Sequence, residues 1–121
     1  MNTTNSKSSN NLKSAEEYYN AMLAKDFDKM ASYLAYNVHF IGPLSEMHGK
    51  DEVVSAAKAL GQILQDIQIR SKFSENNKIM FTYDFIFPGP IGKLRAAVLM
   101  EFTNQLISKI ELFFDGRPFE K

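Results

Sequence analysis

Residues 76–87 read NNKIMFTYDFIF. From Ile79 onward every second residue is large and apolar or aromatic: Ile79, Phe81, Tyr83, Phe85 and Phe87. Met80, Thr82, Asp84 and Ile86 alternate with them. A period of two puts the first set on one face of a β-strand and the second on the other. Working outward, IQIRSKF (67–73), KLRAAVLMEFT (93–103) and LISKIELFFD (106–115) read as further strands, and PGPIG (88–92) as a Pro/Gly turn.

Before residue 65 the period is helical. KSAEEYYNAMLAK (13–25) repeats apolar groups at Ala15, Tyr18, Tyr19, Met22 and Leu23, with Ser14 and Glu17 spaced as a capping box. Asp26 is placed to cap a short second helix, FDKMASYLA. VHFIGPL (38–44) reads as a strand entering a turn, with Val38, Phe40 and Gly42 on one face and His39 and Ile41 on the other. PLSEMHG (43–49) reads as a connector. A third helix then runs from about Lys50 to Leu64, with Val53, Val54, Ala57, Leu60 and Leu64 on one side.

The chain has 121 residues, enough for one domain with a single core. Fourteen basic residues balance fourteen acidic ones, so charge supplies no reason to expect nucleic acid or a membrane surface as partner. The absence of cysteine excludes disulfides, thiol catalysis and thiolate metal sites. MNTTNSKSSNN (1–11) has no apolar residue after Met1 and reads as a disordered leader, not a signal peptide. The domain is therefore expected over 12–121, in the cytoplasm.

YYNAMLAKDFDKMASYL, NVHFIGPL, HGKDEV and ISKIELFFDGRPF occur in an order that resembles the SnoaL-like branch of the nuclear-transport-factor-two-like superfamily, relatives of ketosteroid isomerase. The resemblance spans about residues 12 to 119. It implies an α+β fold: three N-terminal helices packed on a curved, mostly antiparallel sheet, a cystatin-like cone with a central pocket. It also implies a homodimer, often formed through the sheet. Such folds host isomerases, dehydratases, cyclases, epoxide hydrolases and plain binding domains, so function has to come from the site.

The isomerase pattern implies a tyrosine on the first helix, eight residues before the aspartate that opens the second. Tyr18 matches it against Asp26. The pattern also implies a carboxylate base before the proline that ends the first strand, where Gly42 stands, and an oxyanion-binding aspartate at the position of Met100. The epoxide-hydrolase pattern implies an arginine and an aspartate two apart on one strand. Here Ala97 follows Arg95 at that distance and Lys72 follows Arg70. His39, Glu46, His48 and Asp51 lie near one another in sequence, but a nine-residue histidine spacing across a turn matches no recognised metal geometry, and no metal or cofactor is expected.

If NQL (104–106) is a three-residue turn, residues whose numbers sum to 210 face each other. Glu101 then opposes Lys109, and Arg95 opposes Asp115, as outward ion pairs. Leu99, Phe113, Ile107 and Ile86 form an outward apolar stripe suited to a dimer. The expected pocket wall is Tyr18, Met22, Met30, Val38, Phe40, Ala57, Leu60, Phe81, Tyr83, Phe85, Val98, Met100, Ile110, Leu112 and Phe114. Ala56 and Ala57, where isomerase relatives carry bulky aromatics, leave room. These residues point to a domain that binds a small apolar molecule without ketosteroid isomerase chemistry, with Tyr18 as the weak catalytic candidate. Two rivals are a cyclase-, isomerase- or hydratase-type enzyme using Tyr18, and a dimeric interaction module with a filled core.

Overall fold

The computed structural model describes residues 3–117, with side chains from residue 10 onward. Helices α1 (Thr3–Leu23) and α2 (Phe27–Ser32) precede strands β1 (Leu34–Ile41) and β2 (Glu46–His48). Helix α3 (Lys50–Ile63) follows, then β3 (Asp66–Glu75), β4 (Lys78–Ile86), β5 (Lys93–Thr103) and β6 (Leu106–Phe114). The six strands form one sheet in the order β2-β1-β6-β5-β4-β3. The β1–β6 pair is parallel and the other neighbours are antiparallel. The helices pack on the inner face over an apolar core, giving the expected α+β architecture.

Helix α1 begins earlier than the periodicity indicated. Residues 3–11, read as a disordered leader, lie in its first turns, while Met1 and Asn2 fall outside the described residues. Adding turns to an anchored helix avoids the cost of nucleation, so apolar residues are not needed there. Ser14 is consequently mid-helix and not a cap. Glu17 instead accepts a hydrogen bond from the Tyr33 hydroxyl at 2.9 Å. Asp26 does cap α2, accepting from Lys29 N at 3.2 Å.

The β4 alternation is realised: Ile79, Phe81, Tyr83 and Phe85 are buried on the inner face. On β5 and β6 the sum of 210 holds from Ala96↔Phe114 to Glu101↔Lys109. Glu101 and Lys109 pair across the ladder at 3.8 Å. The turn is shorter than expected. Asn104 and Gln105 take φ of 51° and 71°, a two-residue turn with both residues left-handed. A bulge at Ser108, whose hydroxyl bonds the Glu101 carbonyl at 3.1 Å, absorbs the extra residue. Beyond it parity reverses. Ile107 pairs with Phe102 and is fully buried, so it leaves the expected outward stripe.

The second expected ion pair is also corrected. The β5–β6 ladder ends at Ala96↔Phe114, and Asp115 is held by Arg117 through a bond from Arg117 Nε at 2.9 Å. Arg95 turns to its register partner on β4, Asp84, at 3.7 Å. Arg70 reaches the same carboxylate at 3.2 Å from a bulge in β3. Asp84 is thus buried on the outer face between two guanidinium groups, which offset the cost of desolvating its charge.

Candidate functional site

Inside the curved sheet, under α1 and α3, lies a chamber of about 70 Å³. It adjoins an outer cavity of about 290 Å³ whose rim is the β1–β2 turn, Gly42 to Ser45. Phe40, Met47, Ala56, Leu60, Phe85 and Leu112 line both. The lining is almost wholly apolar. The strand alternation of β1 aims Phe40 inward, and the helical period of α3 aims Val53, Ala56, Ala57 and Leu60 at it. The two alanines leave volume that larger side chains would fill.

Of the expected wall, Tyr18, Met22, Phe40, Ala57, Leu60, Phe85, Ile110 and Leu112 line the chamber, and Phe114 lines the outer cavity. Met30, Val38, Phe81, Tyr83, Val98 and Met100 do not line either cavity; they are packed in the core. All six belong to the one buried apolar cluster, where neighbouring side chains occupy the space. Strand parity identifies the inward face and not which part of it stays open. Sequence reasoning missed Tyr19, Met47, Val53, Phe87 and Leu94 as lining residues. Tyr19 was available in the helical stripe. Met47 was hidden because its segment reads as a connector, whereas it is strand β2, paired to β1 through Phe40↔Met47.

Three tyrosines meet at the closed end. The hydroxyls of Tyr19 and Tyr83 share a hydrogen bond of 2.8 Å in the core. Tyr18 packs edge-on against Tyr19, with ring centroids 5.1 Å apart. Among the described residues no group hydrogen-bonds the Tyr18 hydroxyl, and its side chain borders the chamber. Burial pushes all three phenols far above their ordinary range; the neighbouring Tyr19 adds to this at Tyr18. They stay protonated at neutral pH, so Tyr18 can donate a hydrogen bond but cannot serve as a base.

Among the described residues no carboxylate enters this lining. Gly42 stands at the rim, where an added Cβ would come within 2.9 Å of the Phe40 ring, so even a small side chain there displaces Phe40. Met100 is fully buried in the core. Asp84, Arg70 and Arg95 lie on the opposite face of the sheet. His39 points outward, as its parity predicts. The β1–β2 pairing then sets His39 opposite His48, and one ligand atom each from His39, Glu46 and His48 lies within 4.8 Å of the others. The sequence spacing gave no sign of this, because it did not show that 46–48 is a strand. Asp51, on the first turn of α3, is outside the group.

Residues 15–110 match the model of the SnoaL-like domain. The chain belongs to the SnoaL-like family. Among solved structures it is similar to a protein from Kribbella flavida, at 23% identity and a TM-score of 0.84 over 89% of this chain and 88% of that one. It is also similar to an NTF2-like protein of unknown function from Cytophaga hutchinsonii, at 22% identity and a TM-score of 0.77 over 88% and 92%. An LEH-like epoxide hydrolase from M. tuberculosis aligns at 16% identity and a TM-score of 0.77 over 91% and 86%. At these identities the likeness is one of fold. No curated protein matches the chain. No helix among the described residues of this SnoaL-like domain is long and apolar enough to cross a membrane.

The tyrosine arrangement generates a stability prediction. Tyr19→Phe strands the buried Tyr83 hydroxyl and should cost about 1–3 kcal/mol. Tyr18→Phe removes no bond among the described residues and should cost under about 0.5 kcal/mol. Urea denaturation of the two variants checks this; equal losses would show that the Tyr19–Tyr83 bond does not distinguish them.

Proposed function

We propose that this SnoaL-like domain binds a small, mostly apolar molecule carrying one oxygen function, with the Tyr18 hydroxyl as its donor. The observation that carries the reading is an unpartnered phenol at the edge of an apolar chamber. A ligand filling the chamber would withdraw this hydroxyl from water, at a cost of about 1–3 kcal/mol unless a ligand carbonyl or hydroxyl accepts its hydrogen bond. The open volume behind Phe40 and beside Ala56 supplies space, and an apolar cavity with few polar groups is a typical small-molecule site. Met22 and Met47 line it with adaptable thioethers. An enzymatic role is less well supported, because the lining offers phenols that remain protonated and no group to take a proton.

A homodimer through the outer face of the sheet is part of the same proposal. Phe73 and Phe113 are 59% and 47% exposed there. Met80, Ala97 and Leu99 lie half-buried between them on the same face. The Thr82 hydroxyl, on this face too, is buried without a hydrogen-bond partner. A second copy would cover the aromatic rings, as exposed apolar patches commonly require.

Three outcomes are expected. Aromatic or terpenoid ketones, screened by thermal shift and measured by calorimetry, should bind; Tyr18→Phe should weaken them by roughly 0.5–1.5 kcal/mol, and Ala56→Phe should block them. A panel that never binds, or binding indifferent to both substitutions, would sink the ligand proposal. A 5-ene-3-keto steroid should not be isomerised above the buffer rate at neutral pH, because the positions of both carboxylic acids hold Gly42 and Met100; clear turnover would overturn that assignment. Light scattering at micromolar concentration should report a dimer, and Phe113→Glu should convert it to monomer. A monomeric wild-type chain would refute the sheet interface.

A further inference from the structure

We propose that His39, Glu46 and His48 form a binding site for a divalent transition-metal ion, with zinc as its representative, on the outer side of the β1–β2 hairpin. This site is separate from the apolar cavity and does not depend on the ligand reading above.

The ligand set is two imidazole nitrogens and one carboxylate oxygen, a combination that suits zinc with a fourth position left for water. Its geometry comes from the sheet. His39 and His48 are directly paired across antiparallel strands, and their rings stack with centroids 4.3 Å apart and planes 14° apart. Glu46, opposite Ile41, sends its carboxylate back along the same face. Its Oε2 lies 2.6 Å from His39 Nε2 and 3.7 Å from His48 Nε2. Bonds of 2.0–2.2 Å in a tetrahedral zinc site set ligand atoms about 3.3 Å apart, so the two observed separations bracket the required one. Side-chain rotation can close the remaining difference without moving the backbone.

The supports are already in place. His48 N donates to Glu52 Oε1 at 2.9 Å, and Gly49 N donates to the Val38 carbonyl at 2.8 Å. These bonds tie the end of β2 to α3 and to β1, so little backbone ordering is left for the ion to impose. The side chains of Glu46 and His48 are more than half exposed, which leaves an entry path. The neighbouring strand presents Lys109 opposite His39 and Glu111 opposite Ile41. Lys109 sits 3.8 Å from Glu101, which offsets its repulsion of a cation. The consequence of binding is mechanical: the ion would staple β2 to β1 on either side of the turn that forms the cavity rim.

The test is calorimetric titration of the tag-free full chain with zinc chloride at about pH 7.5, where imidazole is mostly neutral. One ion per chain should bind and raise the melting temperature. His39→Ala, His48→Ala and Glu46→Gln should each weaken binding at least about tenfold, while Asp51→Asn should leave it unchanged. Circular dichroism of each variant establishes that it is folded. Cobalt substituted for zinc should show the visible absorption of a low-coordinate site in the wild type and lose it in the His39→Ala/His48→Ala double variant. No binding below millimolar zinc, binding that survives the double variant, or one ion per two chains would overturn the proposal.

Discussion

The hydrogen bond between the hydroxyls of Tyr19 and Tyr83 sets the closed end of the cone. It joins the first helix to β4 in the buried core. Tyr18, edge-on to Tyr19, borders the chamber beside it, and only the Tyr19 hydroxyl is bonded to Tyr83 among the described residues. That contact ties α1 to β4 at the chamber wall that Tyr18 and Tyr19 share.

The curvature around this point is built with bulges. Arg70 is the additional residue on β3, and it reaches Asp84 on the outer face. Ser108 is the additional residue on β6, and its hydroxyl bonds the opposite carbonyl. Each bulge bends its strand and increases local twist, which a flat ladder cannot do. Each also changes which side chains face in. The burial of Ile107 and the strength of the outer charge cluster are both products of this irregularity.

Membership in the SnoaL-like family does not say what occurs in the cavity. Among the described residues the lining holds no carboxylate that could take a proton, and it holds a phenol of very weak acidity. Apolar surface with a single donor favours recognition by shape and one hydrogen bond. Polar chemistry is instead concentrated outside the cavity, in the Asp84 cluster and in the His39–Glu46–His48 group.

By itself the sequence determined the type and order of the long elements, because the periods of two and of 3.6 are strong in 76–87, 93–103 and 13–25. It determined the inward faces of those elements, the absence of an acid at Gly42 and Met100, and the resemblance to the family. Tertiary structure decided the rest. A bulge is one residue in length and reverses parity without any marker in composition, so Ile107 could not be placed from numbering; Arg95 lost its expected partner because the β5–β6 ladder ends at Ala96↔Phe114. A three-residue strand has too few positions for a period, so β2 read as a connector, which hid both Met47 in the cavity and the meeting of His39 with His48. Which part of the inward face stays empty depends on how the helices and β2 pack over it, a property of packed volumes and not of any one strand.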